Sequence, residues 1–345
     1  MNFLKLILSP FSIIYWAVTS LRNSFFEMGI LKEYNSNIPT ISIGNLSMGG
    51  TGKTPHVGYI VDLHPTKNVA IISRGYGRKG SLLLEGNTNK HRAIDIGDEP
   101  MELLMKFEGA NFKMITDGNR KRALRYLENH QKQTELVLLD DAFQHRYVKR
   151  NFNILLSDYN KIFYKDYIAP LGTLRESRKG VKRADVIVIT KCQATINIQE
   201  KFDIKRRISR YTDAPVYFSK IKYKGFANSN SSTINLNKFY LVVSGIANPT
   251  SIYNYLSKQN IKFEALSFSD HHNFSSKDID SIIRKSNDFD GIITTEKDWM
   301  RLKETKLQSL ITIEIYRLEI GITFIEEEDT KEFNQLITET LNLSK

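Results

Sequence analysis

One cysteine, Cys192, occurs in the 345 residues. That scarcity excludes an intrachain disulfide and a zinc site built from several thiolates, and it fits a reducing compartment. The chain also lacks an apolar run long enough to cross a bilayer, which takes roughly 20 predominantly apolar residues. Its most apolar stretch, Phe3 to Val18, is shorter and is interrupted by Lys5 and Pro10. Ala17-Val18-Thr19 makes a poor cleavage site, so a removable signal peptide is not expected. No repeat recurs at a fixed period. Acidic residues are in deficit, 38 against 49 Lys and Arg, for a formal charge of +11. A basic surface attracts nucleic acid, anionic lipid or phosphorylated substrates, and charge alone does not choose among them.

What is present is ordinary for a folded protein. Hydrophobic residues make up 41% and charged residues 25%, which excludes a wholly disordered chain, and the length suits two domains. The apolar N-terminus is either a buried core helix or a helix lying in the bilayer interface. Tyr15, Trp16 and the flanking Lys5 and Arg22 favour the interface. A second apolar patch, Phe25 to Leu31, follows, so residues 1–31 read as a membrane-associated helical segment.

Beyond it, apolar runs alternate with helical patterns. Strands are expected at Ile38–Gly44, Val69–Ser73, Glu135–Asp140, Asn153–Ser157 and Asp185–Thr190, with helices at Thr54–Leu63, Glu99–Phe107 and Gly118–His130. This is the pattern of a parallel sheet covered by helices on both faces. Ile221–Asn237 is polar and reads as an exposed connection. Alternation then resumes, with strands at Phe239–Ser244, Lys262–Phe268, Gly291–Thr294 and Ile311–Ile315, and a closing helix at Glu326–Leu341. The fold class is α/β: a P-loop NTPase-like domain over 32–220, the connection 221–237, and a smaller α/β domain over 238–345.

The strongest chemical signal is the strand–turn–helix Ile41 to Leu63. Its turn, Ser47-Met48-Gly49-Gly50-Thr51-Gly52-Lys53-Thr54, fits the phosphate-loop pattern except that Ser47 replaces the first glycine. The glycines let backbone N–H groups point at phosphate, Lys53 reaches the β- and γ-phosphates, and Thr54 is placed for Mg²⁺. The run Leu136-Val-Leu-Leu-Asp140-Asp141 supplies the partner carboxylates, because a buried strand ending in acid is what a Walker B strand looks like. Guanine reading is weak, since Gln193 occupies the position of the base-reading Asp after Thr190-Lys191. Met48 stands where deviant-loop ATPases carry lysine. Phosphoryl transfer to a small or lipid acceptor remains. Gly97-Asp98-Glu99-Pro100 offers two acids for an acceptor hydroxyl, or a plain helix cap. Asp270-His271-His272 is either a polar loop or a further catalytic group; adjacent histidines point apart and do not make a joint metal site.

Taken together, these blocks resemble the tetraacyldisaccharide 4'-kinase (lipid A 4'-kinase) family. The resemblance runs over most of the chain. It rests on Gly44-Asn45, Gly49 to Pro55, Ser73-Arg-Gly-Tyr-Gly77, Gly97 to Pro100, Asp117-Gly118 with Arg120, and Asp140-Asp-Ala-Phe-Gln-His145. It continues through Pro170-Leu-Gly-Thr-Leu-Arg-Glu176, Asp270-His271 and Thr295-Glu-Lys-Asp298. Ala142 departs from the glycine usual there, whereas Ser47 is within the family's habit. The resemblance implies transfer of the ATP γ-phosphate to the 4'-hydroxyl of a tetraacyl disaccharide 1-phosphate. The setting it implies is the cytoplasmic face of the bacterial inner membrane, and the fold two α/β/α units joined by a β linker. It makes Asp98 the catalytic base with His271 as dyad partner. Glu99, Asp140 and Asp141 would serve Mg²⁺ and nucleotide, with Gln144 and His145 nearby. Arg74, Arg78, Arg120 and Arg175 lie beside the motifs and are candidates for gripping the substrate's existing phosphate.

Two other classes make different demands on the sequence. A P-loop ATPase acting on nucleic acid or another anionic partner would want basic residues interleaved with aromatics. Lys220-Ile-Lys-Tyr-Lys224 is the one short example, so no nucleic-acid partner is expected. A scaffold that only keeps the nucleotide-binding shape would have lost Lys53 or the strand-end acids, and both are present.

Overall fold

The computed structural model describes residues 3–80, 82–107, 109, 111–228, 233–246, 248–270 and 272–343. In chain order the first half comprises α1 (Phe3–Glu27), β1 (Thr40–Asn45), α2 (Lys53–Leu63), β2 (Val69–Ser73), β3 (Leu84–Glu85), α3 (Ala93–Ile96), α4 (Asp98–Lys106), β4 (Phe112–Thr116), α5 (Arg120–His130), β5 (Leu136–Asp140), β6 (Phe152–Asp158), β7 (Val186–Thr190) and α6 (Ile198–Ile208). There follow β8 (Val216–Ala227), β9 (Phe239–Ser244), α7 (Thr250–Lys258), β10 (Lys262–Ser267), α8 (Ser276–Ser286), β11 (Gly291–Thr295), α9 (Glu296–Leu302), α10 (Leu307–Leu310), β12 (Glu314–Phe324) and α11 (Glu327–Leu343).

Among the described residues the strands form one mixed sheet of 12, ordered β10-β9-β11-β12-β8-β7-β6-β1-β5-β2-β4-β3. Every residue of β1, β2, β5 and β7 is buried. That is why these segments read as continuous apolar runs: a parallel strand is covered on both faces. On one face Ile41, Ile43 and Leu138 pack with Val57 and Ile60 of α2 and with Met101 and Leu104 of α4. On the other, Ile72, Val137 and Leu139 pack with Ala123, Leu124 and Leu127 of α5. Ligands of such sheets sit outside the carboxyl ends of the strands. Here β1 and β5 pair in parallel with Ile43 opposite Asp140, so β5 ends there while β1 runs on to Asn45 at the same carboxyl edge of the sheet.

The polar segment read as an exposed connection from Ile221 is in fact strand as far as Ala227. β8 begins parallel to β7, Val216 opposite Ile187, and continues antiparallel to β12, Ser219 opposite Phe324. Its second part is half-exposed: Lys222 and Lys224 face outward while Tyr223 stacks on Tyr255 at 4.2 Å. Alternation of that kind gives a polar composition without a loop. The same pairing extends β12 to Phe324, well beyond the expected Ile315. The ladder slips between Glu319 and Ile320. At this bulge the Ile320 amide donates to Glu296 of α9 at 3.1 Å, and Lys106 of α4 donates to the Ile320 carbonyl at 3.0 Å.

Close backbone approach fixes the loop after β5. A Cβ on Gly44 would lie 2.7 Å from Phe143 Cβ and 2.8 Å from its backbone nitrogen. Gly44→Ala therefore forces the 141–145 turn off its strand. The expected cost is about 1–3 kcal/mol, read as a lower thermal midpoint and a lower kcat. An unchanged midpoint would show that the two segments part freely.

Candidate functional site

The turn between β1 and α2 is shaped by glycines in the left-handed region, Gly49 at φ 106° and Gly52 at φ 79°. L side chains rarely adopt such angles. Asn45, at the end of β1, holds the turn from inside: its Nδ2 donates to Thr51 Oγ1 at 2.9 Å and to the Gly49 carbonyl at 3.4 Å. Outside, the turn is laced to the segment 173–175, since Met48 N–H donates to the Thr173 carbonyl and Arg175 N–H to the Leu46 carbonyl, each at 2.7 Å. Lys191 Nζ donates to the Gly50 carbonyl and pairs with Asp158 at 2.9 Å. His56, fully buried, bridges the Gly52 carbonyl at 2.6 Å and Ser219 Oγ of β8 at 3.0 Å. Burial holds its ring near pKa 4, so it is a neutral strut.

Lys53, nearly buried at the start of α2, lies 3.7 Å from Asp141 Oδ1, and Arg175 Nη1 pairs with the same oxygen at 2.8 Å. Asp141 stands at φ 48°, a left-handed conformation that a short polar residue tolerates. Burial works against its charge, but Lys53, Arg175 and Arg120 together hold it below the usual carboxylate range. Asp140 differs. It is 2% exposed, accepts from Ser73 Oγ at 3.1 Å through Oδ2, and has no hydrogen-bond partner for Oδ1. Burial first, and Glu99 next, push its carboxyl up to about 7. A buried oxygen with unused lone pairs, beside a second acid, suits a divalent cation. Among the described residues no three His, Cys, Asp or Glu side chains cluster tightly enough to cage a metal alone. An ion such as Mg²⁺ keeps waters and phosphate oxygens as ligands and is held through one or two carboxylates. Thr54, buried on the first turn of α2, and Glu99 complete the donors on hand.

Asp98 and Glu99 open α4, brought to the site by contact between two glycine turns. Gly75 sits at φ 66° with Ile96 O 2.8 Å from where its Cβ would be, and Gly97 at φ 100° against the Tyr76 carbonyl. Asp98 Oδ2 accepts from Arg301 Nε at 2.9 Å and from Nη2 of the same guanidinium. Arg301 belongs to α9, in the second half of the chain, and nothing in the sequence marked it. His271 lies outside the described residues. His272 faces Asp278 at 3.0 Å and stacks on Phe268, a structural engagement.

The basic residues divide. Arg74 is exposed. Arg78 donates to Thr116 Oγ1 at 2.9 Å. Arg120 is 3% exposed and donates to the backbone carbonyls of Asp117, Gly118 and Asp140, so it braces the ends of β4 and β5. Gln144 donates to the Asn45 carbonyl at 2.9 Å and to Glu176 Oε1 at 3.0 Å. His145 lies among arginines; burial first, then Arg120, Arg150, Arg22 and Arg74, drive its pKa down to about 4. Its Nε2 is buried and unpartnered. Sequence reading missed Glu176 as a hub, although it stands in a quoted motif, because its partners are far away in the chain.

Asp140 fixes a stability prediction. Its folded pKa lies above the ordinary carboxylate value of about 4, so the folded state binds more protons than the unfolded one between about 4 and 7. Stability from this group is present at low pH and lost as pH rises through that window. Asp140→Asn removes the charge, and the nucleotide-free protein at pH 8 should melt about 2–4 °C higher while phosphoryl transfer collapses. A lower midpoint at pH 8 would show that the charge is compensated in the resting fold.

A family model described as Tetraacyldisaccharide-1-P 4'-kinase matches residues 4–342. The tetraacyldisaccharide 4'-kinase of Flavobacterium psychrophilum is 41% identical over 352 residues, covering 99% of this chain and 100% of its own. Its counterpart in Flavobacterium johnsoniae is 39% identical over 335 residues, 95% of each chain. Among solved structures, LpxK from Aquifex aeolicus in complex with ATP matches with a TM-score of 0.75 at 28% identity, covering 98% of this chain and 99% of that one.

Proposed function

Because the chain belongs to the Tetraacyldisaccharide-1-P 4'-kinase family, we propose that it transfers the γ-phosphoryl group of ATP to the 4'-hydroxyl of a tetraacyl disaccharide 1-phosphate in lipid A biosynthesis. The observation that carries this reading is the placement of Lys53 3.7 Å from Asp141, next to the half-satisfied Asp140 at the carboxyl edge of β1 and β5.

The roles follow from placement. The P-loop-like turn 47–54 cradles the phosphates with backbone N–H groups, and Lys53 supplies positive charge where the β- and γ-oxygens lie. Mg²⁺, when bound, neutralises charge building between those phosphates; Asp140 and Thr54 would hold it, with Glu99 and Asp141 alongside. Arg175 and Lys53 keep Asp141 ionised. Asp98 accepts the hydroxyl proton as the new P–O bond forms and the bond to the ADP oxygen breaks. Arg301 fixes that carboxylate in orientation, and His271 is its partner in the dyad. Exposed Arg74 is best placed to reach the substrate's existing phosphate, with Arg175 nearer the acids. Gln144 and His145 line the same loop, while Arg120 acts through the backbone it braces. Residues 32–220 and 238–345 serve as the two units around this cleft.

An acylated substrate calls for a membrane surface. Among the described residues no helix is long and apolar enough to cross a membrane. Yet α1 leaves Phe11, Ile14, Val18 and Leu21 each more than half exposed. These recur at helical spacing on one stripe, as in a helix that lies in the interface. We therefore place the protein peripherally, on the face where ATP is available, the cytoplasmic side of the inner membrane.

Labelled ATP and a tetraacyl disaccharide 1-phosphate in mixed micelles test the activity directly. Label should appear in the lipid, and Lys53→Ala should lower kcat by about 10²–10³-fold. Absence of label in the lipid overturns the reading. Serine at Phe11, Ile14 and Val18 together should weaken partition onto anionic vesicles by about tenfold or more, with little change in thermal midpoint, since those side chains are each more than half exposed. Undiminished partition would remove α1 from the membrane.

A further inference from the structure

We propose that α1 is part of the catalytic scaffold as well as an anchor, with Asn23 as the residue that positions the loop 141–145 against the phosphate loop. This rests on the kinase reading above. The C-terminal end of α1 does not merely lie on the surface. Asn23 Nδ2 donates to Glu176 Oε2 at 2.8 Å, and Arg146 Nη1 donates to the Asn23 carbonyl at 3.0 Å. Arg22 sends both Nη atoms to the Gln144 carbonyl at 3.2 Å. Further up the helix, Ser12 Oγ donates to the Ile168 carbonyl at 3.2 Å and accepts from Leu171 N–H at 2.9 Å.

Glu176 is where these contacts converge. Its carboxylate is 2% exposed and accepts from Asn23, from Gln144 at 3.0 Å and from Arg183 at 2.7 Å. A buried carboxylate is stable only when its lone pairs are filled, so each donor fixes the place of the others. Two paths leave this group for the phosphates. One passes through Gln144 to the Asn45 carbonyl, and Asn45 in turn grips Thr51. The other passes along the backbone to Arg175, then to Asp141 and Lys53. Asn23 therefore sets the position of Glu176, and with it both sides of the reacting centre, acting through other residues as a positioning group. A helix seated in the lipid and bonded to the catalytic loop would align that loop with an acceptor presented at the membrane surface.

The test exchanges the polarity of one hydrogen bond in the full-length protein. Asn23→Asp places a second carboxylate against Glu176. It should lower kcat by about 10²-fold, the scale of a small misplacement at a reacting centre, with little change in ATP KM and none in vesicle partition. Adding Glu176→Gln lets the new amide donate to Asp at 23, so the double variant should recover at least tenfold over the single. Asn23→Ala, which adds no charge, is assayed alongside in case the first variant does not fold. It should lose roughly tenfold in kcat. Backbone hydrogen exchange provides a readout independent of lipid transfer: 141–146 should exchange faster in either single variant, while β9 and β11 keep their protection. A folded Asn23 variant with wild-type kcat, a loss that follows reduced vesicle partition, a double variant no better than Asn23→Asp, or unchanged exchange at 141–146 would each overturn the proposal. If the wild type fails to phosphorylate the lipid, the kinase reading fails, and the exchange arm still decides whether α1 holds the loop.

Discussion

A carboxylate buried at a strand tip and left half-satisfied is the constraint on which the rest depends. Asp140 is held there by register, because β5 ends opposite Ile43 of β1 and the two strands cannot slip without turning every side chain to the other face. Its charge is costly in the resting fold, and its neighbours reflect that. Ser73 satisfies one oxygen, Arg120 grips the carbonyl of the same residue, and the cations near it are shared with Asp141. Positive charge brought against the unpaired oxygen would offset the cost of ionising it.

Much of this arrangement was legible because it is local. The glycines, Lys53 and Thr54 are contiguous, and their meaning comes from a strand before and a helix after. The acids at 140 and 141 announce themselves by ending an apolar run. Pairings between distant segments were not legible. Asp98 and Arg301 are 203 positions apart, and Asn23 and Glu176 are 153 apart. No periodicity or spacing points from one to the other. The resemblance named Asp98 but not the guanidinium that holds it.

Half-exposed antiparallel pairing was the other blind spot. Between Ile221 and Ala227 lysines alternate with Ile221, Tyr223 and Phe226, which composition scores as loop and geometry makes into strand. The same lysines make the one short basic stretch interleaved with aromatics, and Lys224 is paired with Asp62 at 2.8 Å. Arg120 likewise looked like a free cation beside a motif, and is a buried tie between carbonyls.

β8 belongs to both parts of the sheet, and this limits how they can move. Because the two parts share a hydrogen-bonded strand, a rotation between them would be taken up as twist along that strand rather than in a free loop. The softest point is the slipped register at Glu319 and Ile320, since a bulge locally raises twist and frees one residue from the ladder. Lys106 and Glu296 clasp that point, and they extend from the two helices that carry Asp98 and Arg301. Twist taken up at the bulge would therefore be passed to the two helices that carry Asp98 and Arg301.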